Sequence, residues 1–200
     1  MLAGHFGIAQ LAKGARRDLP FLLLVIAAYL PDLVRVAIAG LTPQFDLFSH
    51  SIPIVAALSL AVAILWLLRD GQFAAAGVLA LACLLHWPAD VFTGCKPTTF
   101  GGPWVGLVSY RRPVSDILVE GMLVVGGWLY MRRRGVTIGR LWLIVPILVQ
   151  VAFLTSMYWG AEFFIGRREW TWRPNETLVP QRHVLETLGC RSPDVASSFH

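Results

Sequence analysis

Charge is what this chain has least of. Only 14% of its 200 residues are Asp, Glu, Lys or Arg, and 56% are apolar. A soluble domain carries about 25% charged residues, so roughly half of the charge needed to cover a water-facing surface is missing. That excludes an ordinary soluble globule and equally a disordered chain. Cysteine is scarce as well. The three thiols, Cys83 in an apolar run and Cys95 and Cys190 in polar stretches, show no metal-type spacing, which argues against a thiolate site and leaves a Cys95 to Cys190 disulfide open. The N-terminus lacks the short apolar core and small-residue cleavage site of a secretory signal, because Lys13, Arg16 and Arg17 precede a run that continues through Tyr29, Pro31 and Asp32. No cleavage is expected there. No internal repeat is visible. The formal charge of +5 comes mostly from basic residues at the ends of apolar runs, a distribution that orients a membrane protein and does not form a nucleic-acid surface.

What the chain has instead is long uncharged runs, and a membrane helix needs about 20 apolar residues. Segments 19–39, 47–68, 72–89 and 114–131 are of that order, and 141–161 is a last uncharged span. Residues 2–15 are apolar but too short to cross, and read as a half-length or interfacial helix. Residues 93–113, rich in Gly, Pro and Thr, read as a structured loop, and a polar tail follows the last span. The expected fold is all-α: a polytopic integral membrane protein with about four long transmembrane helices plus a short N-terminal helix. Residues 1–165 make the membrane-embedded unit and 166–200 the tail.

If the long segments alternate, Lys13, Arg16, Arg17, Arg69, Arg132, Arg133, Arg134 and Arg140 share one side, which the excess of short basic ends makes cytoplasmic. His50, His86, Asp90 and Asp116 then gather at the outer face, with Asp32 in the outer half of the first long helix. His5 joins them if the N-terminal helix dips into the same leaflet. An ionisable group inside a membrane costs about 2.5 to 3.5 kcal/mol on insertion scales, so such groups face a protein interior or a wet cavity. His86 and Asp90 are four apart, one helical face with about 6 Å of rise between them. One interfacial histidine with a satisfied hydrogen bond is unremarkable, but His5, His50, His86, Asp32 and Asp90 arriving on one side are not five separate accidents. Imidazole and carboxylate donors without paired thiolates suit zinc or a similar divalent ion in an open, water-bearing site.

The same residues carry a resemblance. His5 near the start, Tyr29-Leu30-Pro31-Asp32, Ser49-His50-Ser51, and His86-x3-Asp90 followed by a Gly/Pro/Trp-rich loop resemble the bacterial inner-membrane metal-dependent hydrolases, some described as LexA-binding. More distantly they are similar to zinc-dependent phospholipase C. The resemblance covers roughly residues 1–115 and implies His50, His86 and Asp90 as metal ligands, with His5 and Asp32 as further ligands. The chain departs from the pattern at Val34 and Arg35, where the family often has an acid and a histidine, and at Phe45 and Asp46, where it often has a His-Arg pair.

Asp116 and Glu120, again four apart, are candidates for a general base and for an acceptor that orients a ligating histidine, Asp116 being equally explained as an acid at a helix N-terminus. Arg111 and Arg112 can bind a phosphate or lipid headgroup or simply anchor the helix at the interface. Ser49 and Ser51 can orient a ligand or a substrate oxygen. The glycines of Phe100-Gly101-Gly102-Pro103 allow close approach of an anion or make a turn. Trp104, Trp159, Trp170 and Trp172 read as an aromatic belt, and Arg35 as a partner for Asp32 or Asp46. Two functions follow. The first is a metal-dependent hydrolase of the bacterial inner membrane, its zinc lowering the pKa of water toward about 7, with a site open to the outer leaflet for an amphipathic ester or phosphoester among membrane lipids. The alternative is a non-catalytic membrane protein with a structural ion site or a proton or ion relay. The nearly all-apolar inner halves of the long segments, 56–68 and 124–131, favour a site with one opening.

Overall fold

Helix boundaries follow the polar, proline and glycine punctuation of the chain. The structure, a computed structural model, describes residues 3–38, 49–94, 96–100, 103–107 and 113–165, with the side chains of the last stretch from 114 to 155. The elements run α1 (Ala3–Ala15), α2 (Phe21–Ile38), α3 (Ile52–Asp70), α4 (Phe73–Leu84), α5 (His86–Thr93), the strands β1 (Lys96–Pro97) and β2 (Trp104–Val105), α6 (Pro113–Arg133) and α7 (Leu141–Ile165). The fold is all-α apart from this one small hairpin. Four helical stretches are long and apolar enough to cross a membrane: Phe21–Ile38, Ile52–Asp70, Phe73–Thr93, which combines α4 and α5, and Val114–Arg133.

Turn chemistry sets the α1–α2 and α3–α4 junctions. Lys13, in the last turn of α1, donates from Nζ to the carbonyls of Arg17 and Leu19, both at 2.6 Å, which ties the junction between α1 and α2 back onto the helix. Gly71 closes α3 in the left-handed region at φ 66°, its N–H on the Leu67 carbonyl, a conformation that glycine adopts without steric cost. Arg16 reaches from the first junction to Gln72 at 3.0 Å, and Arg134 at the end of α6 reaches the Gly14 carbonyl at 3.4 Å. The basic ends of α1, α3 and α6 therefore meet at one end of the bundle.

The outer surface is hydrocarbon-like. Of α3 only Val55 and Ser59 are buried, and Leu60, Leu65 and Leu68 are 60–80% exposed. A nearly continuous apolar face left open in this way matches lipid and not water. Inside, Ile8, Ala9, Leu24, Ala27, Ala28, Ala75, Leu79 and Ala82 form one cluster joining α1, α2 and α4. Its many alanines let the helix axes come close, which is how helices associate where lipid removes the hydrophobic drive between them.

The N-terminal helix is half-length, the first of the two alternatives, and it is packed inside the bundle: from Ala3 to Gln10 every residue is buried, because α1 packs along α6 through glycines. A Cβ on Gly7 would stand 2.5 Å from the backbone of Leu123, and one on Gly127 would stand 2.5 Å from the Gly7 carbonyl. No other residue type permits that crossing. The span over 72–89 stands, within a helical stretch Phe73–Thr93, but it is interrupted for one residue at Leu85, where α4 passes into α5. Pro88 has no N–H for the Leu84 carbonyl and its ring crowds it, which kinks the helix there. His86 is the first residue of α5.

Of the loop after α5, residues 96–100 and 103–107 are described and form a small hairpin. β1 pairs antiparallel with β2, Lys96 opposite Val105 and Pro97 opposite Trp104. It is fastened to the helices by Trp87 Nε1 to the Pro97 carbonyl at 3.2 Å and Ile52 N–H to the Thr98 carbonyl at 3.1 Å. Leu107 N–H to the Val91 carbonyl, at 2.8 Å, completes the attachment.

Candidate metal centre

Asp32 of α2, His50 just before α3, and His86 and Asp90 of α5 come together, each offering one ligand atom, with these atoms all within 4.8 Å of one another. Both prolines of the neighbourhood help. The break before Pro88 presents His86 and Asp90 on one face of a short helix. Pro31 cannot donate to the Ala27 carbonyl, and at that turn of α2 the next carbonyl, Ala28, accepts a hydrogen bond from His86 Nδ1 at 2.9 Å.

The hydrogen bonds of the two histidines decide what the group can do. A carbonyl only accepts, so His86 donates from Nδ1 and its Nε2 carries the lone pair. That Nε2 lies 3.5 Å from Asp90 Oδ2 and 3.8 Å from Asp32 Oδ1, fully buried and with no hydrogen-bond partner among the described residues. His50 differs: its Nε2 donates to the Asp32 carboxylate at 2.9 Å and lies 3.5 Å from Asp90 Oδ2, while Ser49 Oγ, a group that can donate or accept, stands 2.8 Å from its Nδ1. Burial holds the His50 imidazole below its ordinary value, with the Asp32 hydrogen bond opposing, so desolvation favours the neutral ring that a metal requires. Imidazoles oriented through Nδ1, with Nε2 turned to carboxylates, are the donor arrangement of histidine–carboxylate metal sites. The residues present fit a divalent ion, and the group could hold one.

Burial gives the group a direction. His86 and Asp90 are buried to within 2% and His50 to within 4%, whereas the Asp32 side chain is 35% exposed. Asp32 is thus the open edge.

His5, expected as a further ligand, lies beside the group without being one of the four. Its Nε2 is 3.6 Å from Asp90 Oδ1, and its ring packs over His86 with centroids 3.9 Å apart. Asp116 and Glu120 are brought to the N-terminus of α1. Gly4 N–H donates to Glu120 Oε2 at 2.9 Å, and Gln150 Nε2 donates to Asp116 Oδ2 at 2.6 Å and to Glu120 Oε1 at 2.9 Å. Gln150 Oε1 accepts from Ala3 N–H at 3.3 Å. These acids anchor the first turn of α1, and with it the residue after Gly4, His5. Ser49 serves His50, while Ser51 is the buried N-cap of α3, its Oγ without a hydrogen-bond partner among the described residues. Trp104 is half-buried in β2. Arg111, Arg112, Gly101, Gly102, Asp46, Cys95, Cys190, Trp170, Trp172 and the Trp159 side chain lie outside the described residues, as does the tail.

Two participants were not anticipated. Lys96 places Nζ 2.6 Å from Asp90 Oδ2; only a cation six residues beyond Asp90, in what reads as loop, hinted at it. Gln150 had a clearer signal, as a lone amide amid the apolar residues of α7, where a polar side chain is retained for a bond to another helix.

Comparison with known proteins found no matching family model, no matching curated protein and no matching solved structure. The likeness to inner-membrane hydrolases rests on the short motifs alone.

Proposed function

We propose that the chain is a membrane-embedded metal-dependent hydrolase of the bacterial inner membrane, acting on an amphipathic phosphoester at the outer leaflet. The observation that carries this reading is the buried, hydrogen-bond-orphaned Nε2 of His86, facing Asp32 and Asp90 beside His50, whose own Nε2 is turned to the same two carboxylates. Asp32, His50, His86 and Asp90 would hold the ion, zinc by the character of an all-N/O donor set. When bound, the ion supplies Lewis acidity toward an ester oxygen and acidifies a water molecule. The protein's own part is to keep His86 in the Nε2-ligating tautomer through Ala28, to position the His50 ring through Ser49, whose hydroxyl could accept from Nδ1 when Nε2 serves the ion, and to exclude water from all but one side. Asp32, at the open edge, would be the ligand nearest the side from which water and substrate enter. Glu120, Asp116 and Gln150 keep α1, and so His5, against Asp90. A lipid-like substrate follows from the setting, since a group at one end of a bundle clothed in leucine is reached most directly from the headgroup region.

The test is hydrolysis of a short-chain phospholipid by the zinc-supplemented chain in detergent, scored as release of water-soluble phosphate. The reading predicts activity that a chelator abolishes and added zinc restores. Uptake of zinc with no hydrolysis would point to the structural ion site instead.

A further inference from the structure

Lys96 is the cation paired to the metal-ligand group, and its placement is specific. Its backbone is fixed by the hairpin, which is fastened on both sides through Trp87 to Pro97 and Ile52 to Thr98. Its ammonium reaches back 2.6 Å to Asp90 Oδ2, the same oxygen that His50 and His86 face at 3.5 Å. Lys96 itself is 18% exposed against 2% for Asp90, so the ammonium comes in from the rim. A divalent ion held by Asp32, His50, His86 and Asp90 uses the charge of that carboxylate, and an ion on the oxygen that both imidazoles face repels an ammonium held against the same oxygen.

Charge accounting then gives the ammonium a second task. Two carboxylates and neutral imidazoles leave two negative charges, of which Lys96 balances one. A divalent ion balances both and leaves the lysine charge over, at the rim of the site and on a flexible four-carbon stem suited to a phosphate oxygen. We propose that Lys96 exchanges partners: it occupies Asp90 while the ion is absent and, displaced by the ion, holds an anionic phosphate oxygen of the substrate. This rests on the hydrolase reading for the word substrate, but both halves of the exchange are measurable as binding. It makes Lys96 the residue that selects a charged phosphoester over a neutral ester.

The experiment titrates zinc into the metal-stripped full chain in detergent, for wild type, Lys96→Ala and Lys96→Arg, and then titrates inorganic phosphate into each zinc-loaded form. Circular dichroism and gel-filtration profiles check that each variant is folded. Loss of a competing charge-assisted bond should let Lys96→Ala bind zinc about 10-fold to 100-fold more tightly and phosphate more weakly by a similar factor. Lys96→Arg should stay near wild type in both. Unchanged or weaker zinc binding by Lys96→Ala, or unchanged phosphate binding, overturns the exchange while leaving the metal centre standing. Failure of every form to take up zinc overturns the metal centre and the exchange with it. Both shifts present without turnover of any ester would remove only the hydrolase reading, and Lys96 would remain an anion-binding group beside the ion.

Discussion

His86 Nδ1 donates a hydrogen bond to the carbonyl of Ala28, 58 residues away in sequence and 2.9 Å away in space. This one contact joins α5 to α2, fixes the tautomer of the imidazole and aims Nε2 at two carboxylates. It also ties together the two helices whose proline positions differ most from a regular span.

Ser49 meets His50 at Nδ1, as Ala28 meets His86, and through a side chain that can be replaced. Ser49→Ala should weaken zinc binding by about 10-fold to 100-fold, the usual range for removing the partner of a ligating histidine. Competition with a chromogenic chelator measures it. An unchanged affinity would mean that His50 is oriented by its other contacts.

Pro88 is predicted to be a site residue without touching the site. Pro88→Ala restores an N–H opposite the Leu84 carbonyl and allows the helix to run through Leu85, which rotates His86 away from Ala28. Zinc affinity should fall while thermal stability holds or rises, because an interior proline disfavours a helix by about 3 kcal/mol relative to alanine. Loss of both together would show only that the break is needed for folding.

The close crossing of α1 and α6 can be tested within one helix. Gly127→Ala and Gly7→Ala place a methyl group 2.5 Å from backbone atoms, an overpacking cost of about 1 to 3 kcal/mol or more. Gly121, also on α6, has nothing within 4 Å of the corresponding position. Gly121→Ala should be neutral or stabilising by up to about 1 kcal/mol. Unfolding temperatures in detergent give the order, and equal effects at Gly121 and Gly127 would contradict the crossing.

Topology is testable independently of chemistry. In a chain with Cys83, Cys95 and Cys190 replaced, single cysteines at Thr98 and at Arg133 should label from opposite faces of the membrane, Thr98 from outside. Labelling of both from one face would contradict the proposed orientation.

The helices were legible in the sequence because apolar length is a property of each segment alone, and the ligand set because His and Asp are rare in apolar runs and each rarity is informative. Position within the bundle was harder to read. Residues 2–15 look interfacial by length, and only the glycines at 7, 14 and 127 hint that α1 is buried against another helix. Pro88 was present to be read, yet a proline next to the last residue of the span 72–89 reads as an ending and not as an internal kink. The bonds of Lys96 to Asp90 and of Gln150 to Asp116 and Glu120 depend on tertiary distances between segments up to 34 residues apart, which periodicity does not encode. Glu120 and Asp116 show the same limit: their spacing suggested chemistry, and their partners are the first amides of α1 and a glutamine.

The metal content of the purified chain tests the central claim most directly. Wild type and Leu85→Ala, whose side chain is 37% exposed at the helix break, should each retain about one divalent ion per chain after dialysis against zinc, as a single four-donor site requires. His86→Ala and Asp90→Asn, the latter removing a charge at nearly constant volume, should retain none while staying folded. A His86→Ala chain that keeps its ion and behaves like Leu85→Ala would contradict the account, leaving α5 as part of a membrane span with a hydrogen-bonded histidine at its start.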